Sequence, residues 1–588
     1  MRKTFLGRGD GSGSEAARAR RAARSRAVRV PAASAIIVGV LLLSAVAASG
    51  CSGDSKAATA NTASATGGAG SPSPSSTPRA GGTLRYPLQY DVNTMLPFGM
   101  LYSPEAAHQV FEGLVAYEAG EDGLVSTVPG LAESWEANAD ATVWTFRLRR
   151  GVRFQQPVGR EVTAADVVAD FRYTATAEHH AGIAYMDATI AGTDDTSGTM
   201  PARRISQLGV TAVGRYTVRF TLKRPFAAFP STLGGPYAWV WPVDYLEKVG
   251  RKGFERRPVG TGPFVVSRRV RGHYVDLVRN PDWWNAASGQ PYLAAVHFEV
   301  FGSTTEMLRA FQEGRVDYTW VPQGQVAASR SLPQVTDGEW VPVVLRQQAT
   351  GYLAFNMHDP VTGGDRGLPV RQAIDAALDR RALVDAVSDG VYIPQTGLVP
   401  PVFAGWEDEQ PAQAYDPAKA GELHAQAGSP TVTLAYSKDR LGASVARYTQ
   451  RACAAVGIPV RLRAFSWERW VALFNQSRMP AFYAFGWMAD YPDYGNFLNE
   501  LFSSSLSSYT SGTHYSDPDV DRLLTLARSS ADPGKRLDLS HRAAQEILAD
   551  LPVLPLFEYA DYRLLNSRIH GFTPVPTYGV DAWKLWVE

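Results

Sequence analysis

The stretch that decides the fold reads Gly130-Leu-Ala-Glu-Ser-Trp135, then Trp144-Thr-Phe-Arg-Leu-Arg-Arg-Gly-Val-Arg-Phe154, then Val162-Thr-Ala-Ala-Asp-Val-Val168. Apolar and polar residues alternate from Trp144 onward, which predicts a half-buried strand. Thr163 stands three residues before Asp166 and is followed by apolar residues at helical spacing, so a capped helix should begin there. This part of the chain therefore combines strands with a helix.

The same combination continues through the rest of the chain. Apolar residues at helical spacing predict helices over 304–312, 369–386, 417–427 and 518–530. Short β-branched runs between them predict strands, for example over 431–434 and 460–462. No fixed-period repeat is visible, and the alternation of strands and helices predicts a mixed α/β sheet.

The N-terminus has the layout of a bacterial lipoprotein signal. An arginine-rich leader precedes a short apolar run, 35–48, which ends in Ala48-Ser49-Gly50-Cys51. The run is shorter than the roughly 20 residues that a membrane-spanning helix needs, so export with cleavage before Cys51 is favoured. The alternative is a signal-anchor helix with an incidental cysteine. Arg20-Arg21 leaves both the general secretory route and the twin-arginine route open.

Removal of residues 1–50 from the 588-residue chain leaves 538 residues, more than a single core usually supports, so at least two lobes are expected. Residues 51–80 are rich in Ala, Ser, Thr, Gly and Pro and read as a flexible tether, and folding should begin near Gly81. The leader takes nine basic and two acidic residues from totals of 58 and 57, which leaves a net charge of about −6. Nothing in that balance suggests nucleic acid.

Four stretches resemble the family 5 extracellular solute-binding proteins, the oligopeptide and dipeptide receptors of ABC importers. The first is the opening stretch, 130–168. The others are Pro258-Val-Gly-Thr-Gly-Pro-Phe264 with Arg279-Asn-Pro-Asp-Trp-Trp284, then Tyr352-Leu-Ala-Phe-Asn356, and last Phe485-Gly-Trp-Met-Ala-Asp-Tyr-Pro-Asp493 with Pro552-Val-Leu-Pro-Leu556. The resemblance covers nearly the whole mature chain. Residues 155–160 depart from the family, where a His-Asp-Gly loop is common.

The resemblance implies a two-lobed α/β periplasmic-binding-protein fold of type II, with the extra subdomain of the peptide-binding members. Residues 81–351 should form lobe I, including the subdomain at about 111–204. Residues 352–554 should form lobe II, and residues 555–588 should return to lobe I, so that the chain crosses between the lobes twice. A solute bound in the cleft would favour closure of the lobes about a hinge.

The resemblance also implies site residues. Asp490 should pair with the α-ammonium group of a ligand, the alternative being an ordinary turn or helix-cap acid before Pro492. The cleft should be lined by Trp487, Met488, Trp467 and Tyr559, although aromatic residues are as common in cores. Gly262, in Gly260-Thr261-Gly262-Pro263, should bring the backbone close to the solute or form a simple loop. The arginine that would bind a ligand carboxylate is left open among Arg380, Arg381 and Arg469.

The expected function is therefore a monomeric receptor that is attached to the extracytoplasmic face of the cell membrane through lipid on Cys51. It would bind peptides and deliver them to an ABC permease with its ATPase, without a cofactor or metal. The alternatives are another solute, such as an oligosaccharide, opine or metal chelate, or a sensory or enzymatic lipoprotein without a transporter. Enzyme motifs are weak, because Asp490 with Asp493 and the pair His179-His180 define no active site. Cys453 should be a small buried apolar residue.

Overall fold

The computed structural model describes residues 77–99, 103–120, 123–176, 189–194, 199–405, 414–476, 478–480, 482–504, 512–575 and 579–588. The predicted signal segment, Cys51, all but the last residues of the tether and the pair His179-His180 lie outside this part of the chain. Within it, none of the helices combines the length and apolar character that crossing a bilayer would require.

The opening stretch folds as its sequence predicts. The alternating residues form a strand, Val143–Leu148, in which Trp144, Phe146 and Leu148 are buried. The predicted helix spans Ala164–Thr174. A carboxylate oxygen of Asp166 accepts hydrogen bonds from the Thr163 backbone N–H at 2.8 Å and from the Thr163 hydroxyl at 3.0 Å. This reciprocal cap satisfies a backbone group that the first turn would otherwise leave exposed.

The strands of the described residues fall into several sheets. They are β1 (Thr83–Leu88), β2 (Val115–Ala119), β3 (Val125–Pro129), β4 (Ala132–Ala137), β5 (Val143–Leu148), β6 (Val210–Gly214), β7 (Thr217–Thr221), β8 (Phe264–Val270), β9 (Tyr274–Arg279), β10 (Ala295–Val300), β11 (Tyr318–Trp320), β12 (Trp340–Phe355), β13 (Ile393–Pro394), β14 (Val432–Ser437), β15 (Val460–Phe465), β16 (Phe482–Met488), β17 (Val553–Asn566), β18 (Ile569–His570) and β19 (Trp586–Val587). The residues predicted to form lobe I contain the sheets β1-β10-β9-β8 and β4-β5-β7-β6 and the hairpin β2-β3. The largest sheet has the order β11-β17-β12-β16-β14-β15, with β13 also paired to β17.

The α-helices of the same residues are α1 (Pro104–His108), α2 (Ala164–Thr174), α3 (Val243–Arg256), α4 (Thr304–Gln312), α5 (Val326–Arg330), α6 (Pro333–Thr336), α7 (Gly364–Ala376), α8 (Arg380–Ser388), α9 (Pro417–Gln426), α10 (Arg440–Ala455), α11 (Trp467–Asn475), α12 (Tyr494–Phe502), α13 (Pro518–Ser529) and α14 (Pro533–Asp550). The predictions over 304–312, 417–427 and 518–530 are confirmed to within a residue. The single helix predicted over 369–386 is wrong. Two helices occupy that region, because the Asp379 carboxylate caps the backbone N–H groups of Arg381 and Ala382 and starts α8.

Two long antiparallel strands, β12 and β17, pair with each other along most of their length in the largest sheet. Arg346 pairs with Ala560 and Thr350 with Glu558, so that Gln347, Gln348 and Ala349 stand opposite a single residue of β17. Such a bulge bends the strands locally. The predicted lobe boundaries, at 351/352 and 554/555, fall within these two strands, while the exact boundary residues stay a prediction.

On one side of the bulge the sheet belongs to lobe II. There β14 runs parallel to both β15 and β16, and helices cover the sheet. Leu353, Phe355, Ile374, Leu434 and Phe482 form part of its buried core. A second buried cluster, which includes Phe311, Trp340 and Tyr562, lies on the lobe I side of the bulge. The expectation of a mixed α/β architecture is therefore confirmed.

Candidate functional site

The predicted site residues of lobe II lie at one edge of its sheet. Because β14, β15 and β16 are parallel, their carboxyl ends share an edge. Trp467 begins α11 directly after β15, whereas Trp487 and Met488 end β16 and Asp490 follows two residues later. In open α/β sheets ligands bind outside the carboxyl ends of the strands. The sheet order therefore brings these four residues to the edge where a solute is expected.

Asp490 is a half-buried carboxylate in an unusual electrostatic setting. Burial raises the pKa of Asp490 to about 7, the negative charge of Glu500 adds to this effect, and a hydrogen bond with Asn496 opposes it. A carboxylate that is partly removed from water beside another carboxylate is stabilised by a cation. The surroundings of Asp490 thus suit a positively charged group of a solute.

The helix-cap alternative applies to a neighbouring residue. Asp493 is the N-cap of α12 and accepts from the Gly495 backbone N–H at 2.9 Å. Its other oxygen lies 2.9 Å from the Arg536 guanidinium. Asp493 therefore has a structural role as a helix cap and as the ion-pair partner of Arg536.

Asn496 organises the backbone and the indole next to Asp490. Its side-chain oxygen accepts from the Asp490 backbone N–H at 3.3 Å and from the Trp487 indole N–H at 3.3 Å. Trp487 is 9% exposed, and Met488 and Trp467 are half-buried. Trp467 also packs against the main hydrophobic cluster. The two tryptophans are thus partly core residues, as the alternative interpretation allowed, and their contact with a ligand stays a prediction.

Tyr559 lies on the hinge strand β17 and reaches toward β16. Its ring packs edge-on against Tyr392 and Phe557, both with centroids 5.2 Å away. A Cβ atom at Gly486 would lie only 3.0 Å from the Tyr559 hydroxyl, so a glycine is needed for this approach. Tyr559 therefore lies between the hinge strand β17 and the strand β16 that leads to Asp490, and its contact with a solute stays a prediction.

Gly262 is placed differently from the other predicted site residues. It is buried within lobe I, where its N–H donates to the Val110 carbonyl at 2.9 Å. Its carbonyl accepts from the side-chain amides of Gln155 and Asn280 at 3.0 Å and 2.9 Å. A Cβ there would lie 2.7 Å from the Gln109 carbonyl oxygen. The close approach is thus made to the chain itself, and contact between Gly262 and a solute stays a prediction.

The three arginines that the sequence offers as carboxylate-binding candidates differ in their surroundings. Arg380 is buried, its guanidinium lies 2.5 Å from Asp375, and its Nε donates to the Pro555 carbonyl at 2.7 Å. These contacts commit Arg380 to the fold. Arg381 and Arg469 are exposed on the first turns of α8 and α11.

Two further residues, which the sequence did not single out, belong to the surroundings of the candidate site. Arg440 is exposed, follows the carboxyl end of β14 and reaches the Gln323 carbonyl of lobe I at 3.5 Å. Tyr237 lies in the 3-10 turn Pro236–Ala238. Burial raises the pKa of Tyr237 to about 12, and the charge of Asp490 adds to the rise. The order of the strands in the sheet is the signal that could have found Arg440.

The remaining predictions concern the two cysteines and possible metal ligands. Cys453 is buried in α10, and burial raises the pKa of its thiol to about 12, as expected for an inert core residue. No group of three His, Cys, Asp or Glu side chains suited to a metal ion occurs in the described ranges. Cys51 lies outside them.

These observations define a class of protein, the two-lobed receptors that bind a solute between lobes joined by a strand hinge. A family model described as bacterial extracellular solute-binding proteins, family 5 Middle, matches residues 126–509, more than half of the chain. The chain belongs to the family 5 solute-binding proteins.

Relatives with known names are similar over most of their length. Di/tripeptide-binding protein 1 of Pseudomonas aeruginosa is 28% identical over 506 residues, which cover 81% of this chain and 88% of that protein. Heme-binding protein A of Haemophilus influenzae is 26% identical, covering 81% and 86%. The solved structure of HbpA2 from Haemophilus parasuis has a TM-score of 0.74 at 23% identity and covers 86% of this chain and 100% of that one. These matches confirm the predicted family and the two-lobed fold.

Proposed function

We propose that the protein is an extracytoplasmic, lipid-anchored receptor that binds peptides between its lobes and delivers them to an ABC permease driven by a separate ATPase. The observation that carries the peptide ligand is Asp490, a half-buried carboxylate at the carboxyl edge of the lobe II sheet with Glu500 as a charged neighbour. The α-ammonium group of a peptide supplies the positive charge that this setting favours. The name of the di/tripeptide-binding relative supports the same ligand class.

The other end of a peptide needs a partner for its carboxylate. Arg440 stands beyond the carboxyl end of β14, at the same edge as Asp490, and reaches toward lobe I. A guanidinium group binds a carboxylate through two parallel hydrogen bonds. We therefore assign the carboxylate to Arg440 in preference to Arg380, which is already paired with Asp375. The peptide backbone would contribute hydrogen bonds that do not depend on its side chains.

A second candidate keeps the fold and changes the solute. The relative named heme-binding protein A has nearly the same coverage as the peptide-binding one, which supports a metal chelate as the alternative ligand. The aromatic side chains predicted to line the cleft, Trp467, Trp487 and Tyr559, would suit a planar solute as well as a peptide. Oligosaccharides and opines belong to the same alternative.

Native mass spectrometry of the protein as purified separates these candidates. We expect co-purified solute with a spread of peptide masses, and we expect the Asp490→Ala variant to carry much less of it. A single mass that belongs to a sugar or a chelate would refute the peptide ligand while leaving the receptor function intact. Turnover of added peptide to smaller products would favour an enzymatic lipoprotein.

The lipid anchor rests on the sequence of the leader. Lipid on Cys51, together with a flexible segment over 52–80, would keep the receptor within reach of its permease at a high effective concentration. In a host without an outer membrane, we expect the Cys51→Ser variant to be found in the culture medium and the parent protein in the membrane fraction. Both should bind solute equally after purification. Retention of the variant in the membrane would favour a signal-anchor helix.

A further inference from the structure

A basic segment of the chain contrasts with the net charge of the mature protein. Residues 243–273 contain eight Lys and Arg side chains and three Asp and Glu side chains, a net charge of +5. The predicted mature chain as a whole carries about −6. The segment comprises α3, β8 and the turn between β8 and β9. Positive charge concentrated on one part of an acidic protein indicates an anionic partner for that part.

Contacts around Glu255 hold the elements of this segment together. Glu255, on α3, accepts from the Arg269 guanidinium of β8 at 2.7 Å and from the Met95 backbone N–H at 3.1 Å. The Arg271 guanidinium, in the turn after β8, donates to the Asn93 carbonyl at 2.7 Å. The loop between β1 and α1 thus joins α3 to the end of β8, and the exposed side chains of α3 and of the β8–β9 turn lie close together.

The exposed basic side chains of these elements form a surface that we call the basic face. It consists of Lys248, Arg251, Lys252, Arg256 and Arg257 from α3 and the residue after it, and Arg271 from the β8–β9 turn. The guanidinium carbon of Arg251 lies 5.5 Å from the centroid of the Phe98 ring, which places that side chain over the same loop. Within the described ranges, the other four side chains from α3 and its end form no ion pair. Their charges are therefore open to a partner.

The acids of the same segment offset little of this charge. Glu255 is already neutralised by the contact with β8. Asp244 is paired with the Arg160 guanidinium at 2.9 Å. Glu247 is the remaining acid of the segment and is exposed. The basic face therefore keeps most of its positive charge.

The chemistry of the basic face favours a lipid surface over a protein partner. None of the large apolar side chains that are exposed among the described residues lies within 243–257. Interfaces between proteins usually have an apolar centre that is depleted in charged residues. Anionic lipid headgroups, by contrast, attract clusters of Lys and Arg without any apolar contact. A face made of cations alone is thus better suited to a membrane.

The tether joins the same sheet from its other edge. Twenty-five residues separate Cys51 from Thr77, the first described residue, and a chain of that length reaches at most about 90 Å. The strand that follows the tether, β1, and the strand β8 are the two outer strands of the sheet β1-β10-β9-β8. Neighbouring strands lie about 4.8 Å apart, so the two edges are roughly 15 Å from each other. The tether is therefore long enough for the basic face to meet a membrane that holds Cys51.

We propose that the basic face binds anionic phospholipid headgroups and orients the receptor on the membrane surface. The inference rests on the proposed function in one respect, the lipid on Cys51 that keeps the protein at the bilayer. The lipid limits the distance between protein and membrane, whereas the basic face decides which side of the protein is turned toward the headgroups. Each Lys or Arg near an anionic surface adds to an attraction that falls off within about 10 Å.

The test uses the Cys51→Ser protein, which carries no lipid, so that binding to vesicles reports the protein surface alone. Co-sedimentation compares vesicles of phosphatidylcholine with vesicles that also contain about 30 mol% phosphatidylglycerol. We expect at least about tenfold tighter binding to the anionic vesicles, and we expect this binding to be lost when NaCl is raised from about 0.05 M to about 0.5 M. Equal binding to both kinds of vesicle would overturn the proposal.

A triple variant locates the contact. Lys252→Gln, Arg256→Gln and Arg257→Gln together should weaken binding to the anionic vesicles by about tenfold or more and leave the affinity for trialanine unchanged. Undiminished vesicle binding would overturn the proposal. If the triple variant does not fold, Lys248→Gln with Lys252→Gln takes its place, and a loss of about fivefold is expected.

The matched control removes three positive charges from another part of the chain. Arg447, on α10, and Arg461 and Arg463, on β15, are exposed. Changing all three to Gln should alter vesicle binding by no more than about twofold, because these side chains lie outside the basic face. A loss as large as that of the first triple variant would show that net charge alone governs binding, and would overturn the proposal.

The inference and the proposed anchor can fail separately. Mass spectrometry of the parent protein decides whether Cys51 carries lipid. If it carries none, while the Cys51→Ser protein binds anionic vesicles through the basic face, the anchor fails and the inference stands. If lipid is present, but the Cys51→Ser protein binds neither kind of vesicle, the anchor stands and the membrane is overturned as the partner of the basic face in favour of an acidic protein surface.

Discussion

Two acids of this protein whose pKa is raised, Glu558 in the hinge strand and Asp490 at the candidate site, differ in what surrounds them. Burial raises the pKa of each to about 7. Glu558 is fully buried and accepts three hydrogen bonds from Arg346, at 2.7 Å, 3.0 Å and 3.2 Å, across the bulge between β12 and β17. Asp490 is half-buried, and the charge that most affects it is a second carboxylate, Glu500.

The difference teaches how a fold separates structure from binding. At the hinge, the cation that offsets the buried carboxylate is part of the chain, so that the charge is satisfied before any solute arrives. At the cleft, the neighbouring carboxylate increases the demand for a cation. A short path joins the two places, since the Ala489 backbone N–H donates to the carbonyl of Gln348, in the hinge bulge, at 2.7 Å. Asp490 therefore lies directly beside the bulge residues of the hinge strands.

The largest effect should follow from breaking the hinge pair. Arg346→Met leaves Glu558 buried without its cation, which costs about 3–5 kcal/mol in the free energy of unfolding. Because burial holds the pKa of Glu558 above its usual 4.5, the folded state favours the protonated acid and loses stability as the pH rises through about 7. The destabilisation should therefore be larger at pH 8 than at pH 5. Urea unfolding at the two pH values measures it.

A double variant shows whether the uncompensated charge causes this loss. Arg346→Met combined with Glu558→Leu replaces both partners by apolar groups and should recover most of the stability. The exposed pair Arg522 with Asp519 is the control, since its removal should cost about 1 kcal/mol or less. A double variant that is as unstable as Arg346→Met would show that packing at the bulge, and not charge, is responsible.

The sequence predicts local helices and strands better than it predicts the cleft and the hinge. The strand at Trp144 and the helix after Thr163 follow from spacing within a few residues, and the structure has both. The break between α7 and α8 was missed although its signal is local, because Asp379 lies within an unbroken helical spacing of apolar residues. Local patterns therefore give the elements, with errors where a capping side chain interrupts them.

The cleft and the hinge depend on residues that are distant in the chain. Asp490 was found through the family motif, but its neighbour from lobe I, Tyr237, and the position of Arg440 depend on how the lobes and strands are arranged. The pair Arg346 with Glu558 joins residues 212 positions apart. Arg380 looked available in the sequence and is committed to Asp375 in the fold. Spacing along the chain cannot distinguish these cases, because burial and pairing are properties of the folded state.

A smaller effect is expected at the cleft, on affinity. Asp490→Asn keeps the shape of the side chain and removes its charge, so trialanine should bind about ten- to a hundredfold more weakly at pH 7.5, which is what one charge-assisted hydrogen bond contributes. In the parent protein, affinity should fall by up to tenfold per pH unit below about 7, since the ammonium group must then displace a proton from Asp490. The variant should lack this dependence. Calorimetry from pH 5.5 to 8 measures both.

N-acetylated trialanine, which has no ammonium group, is the matched ligand for this comparison. It should bind the parent protein about as weakly as trialanine binds Asp490→Asn, and it should lose little more in the variant, because the two changes remove the same contact. Additive losses would mean that Asp490 and the ammonium group act independently, which would contradict their pairing.

The stability of the folded protein provides the last check on Asp490. Because the raised pKa of Asp490 makes its ionised form costly in the folded state, stability should decline as the pH rises through about 7, and Asp490→Asn should be at least as stable as the parent at pH 8. The hinge variant Arg346→Met should be clearly less stable at that pH. Together the two outcomes would show that Glu558 depends on the cation of Arg346, whereas the charge of Asp490 is a cost to the folded state.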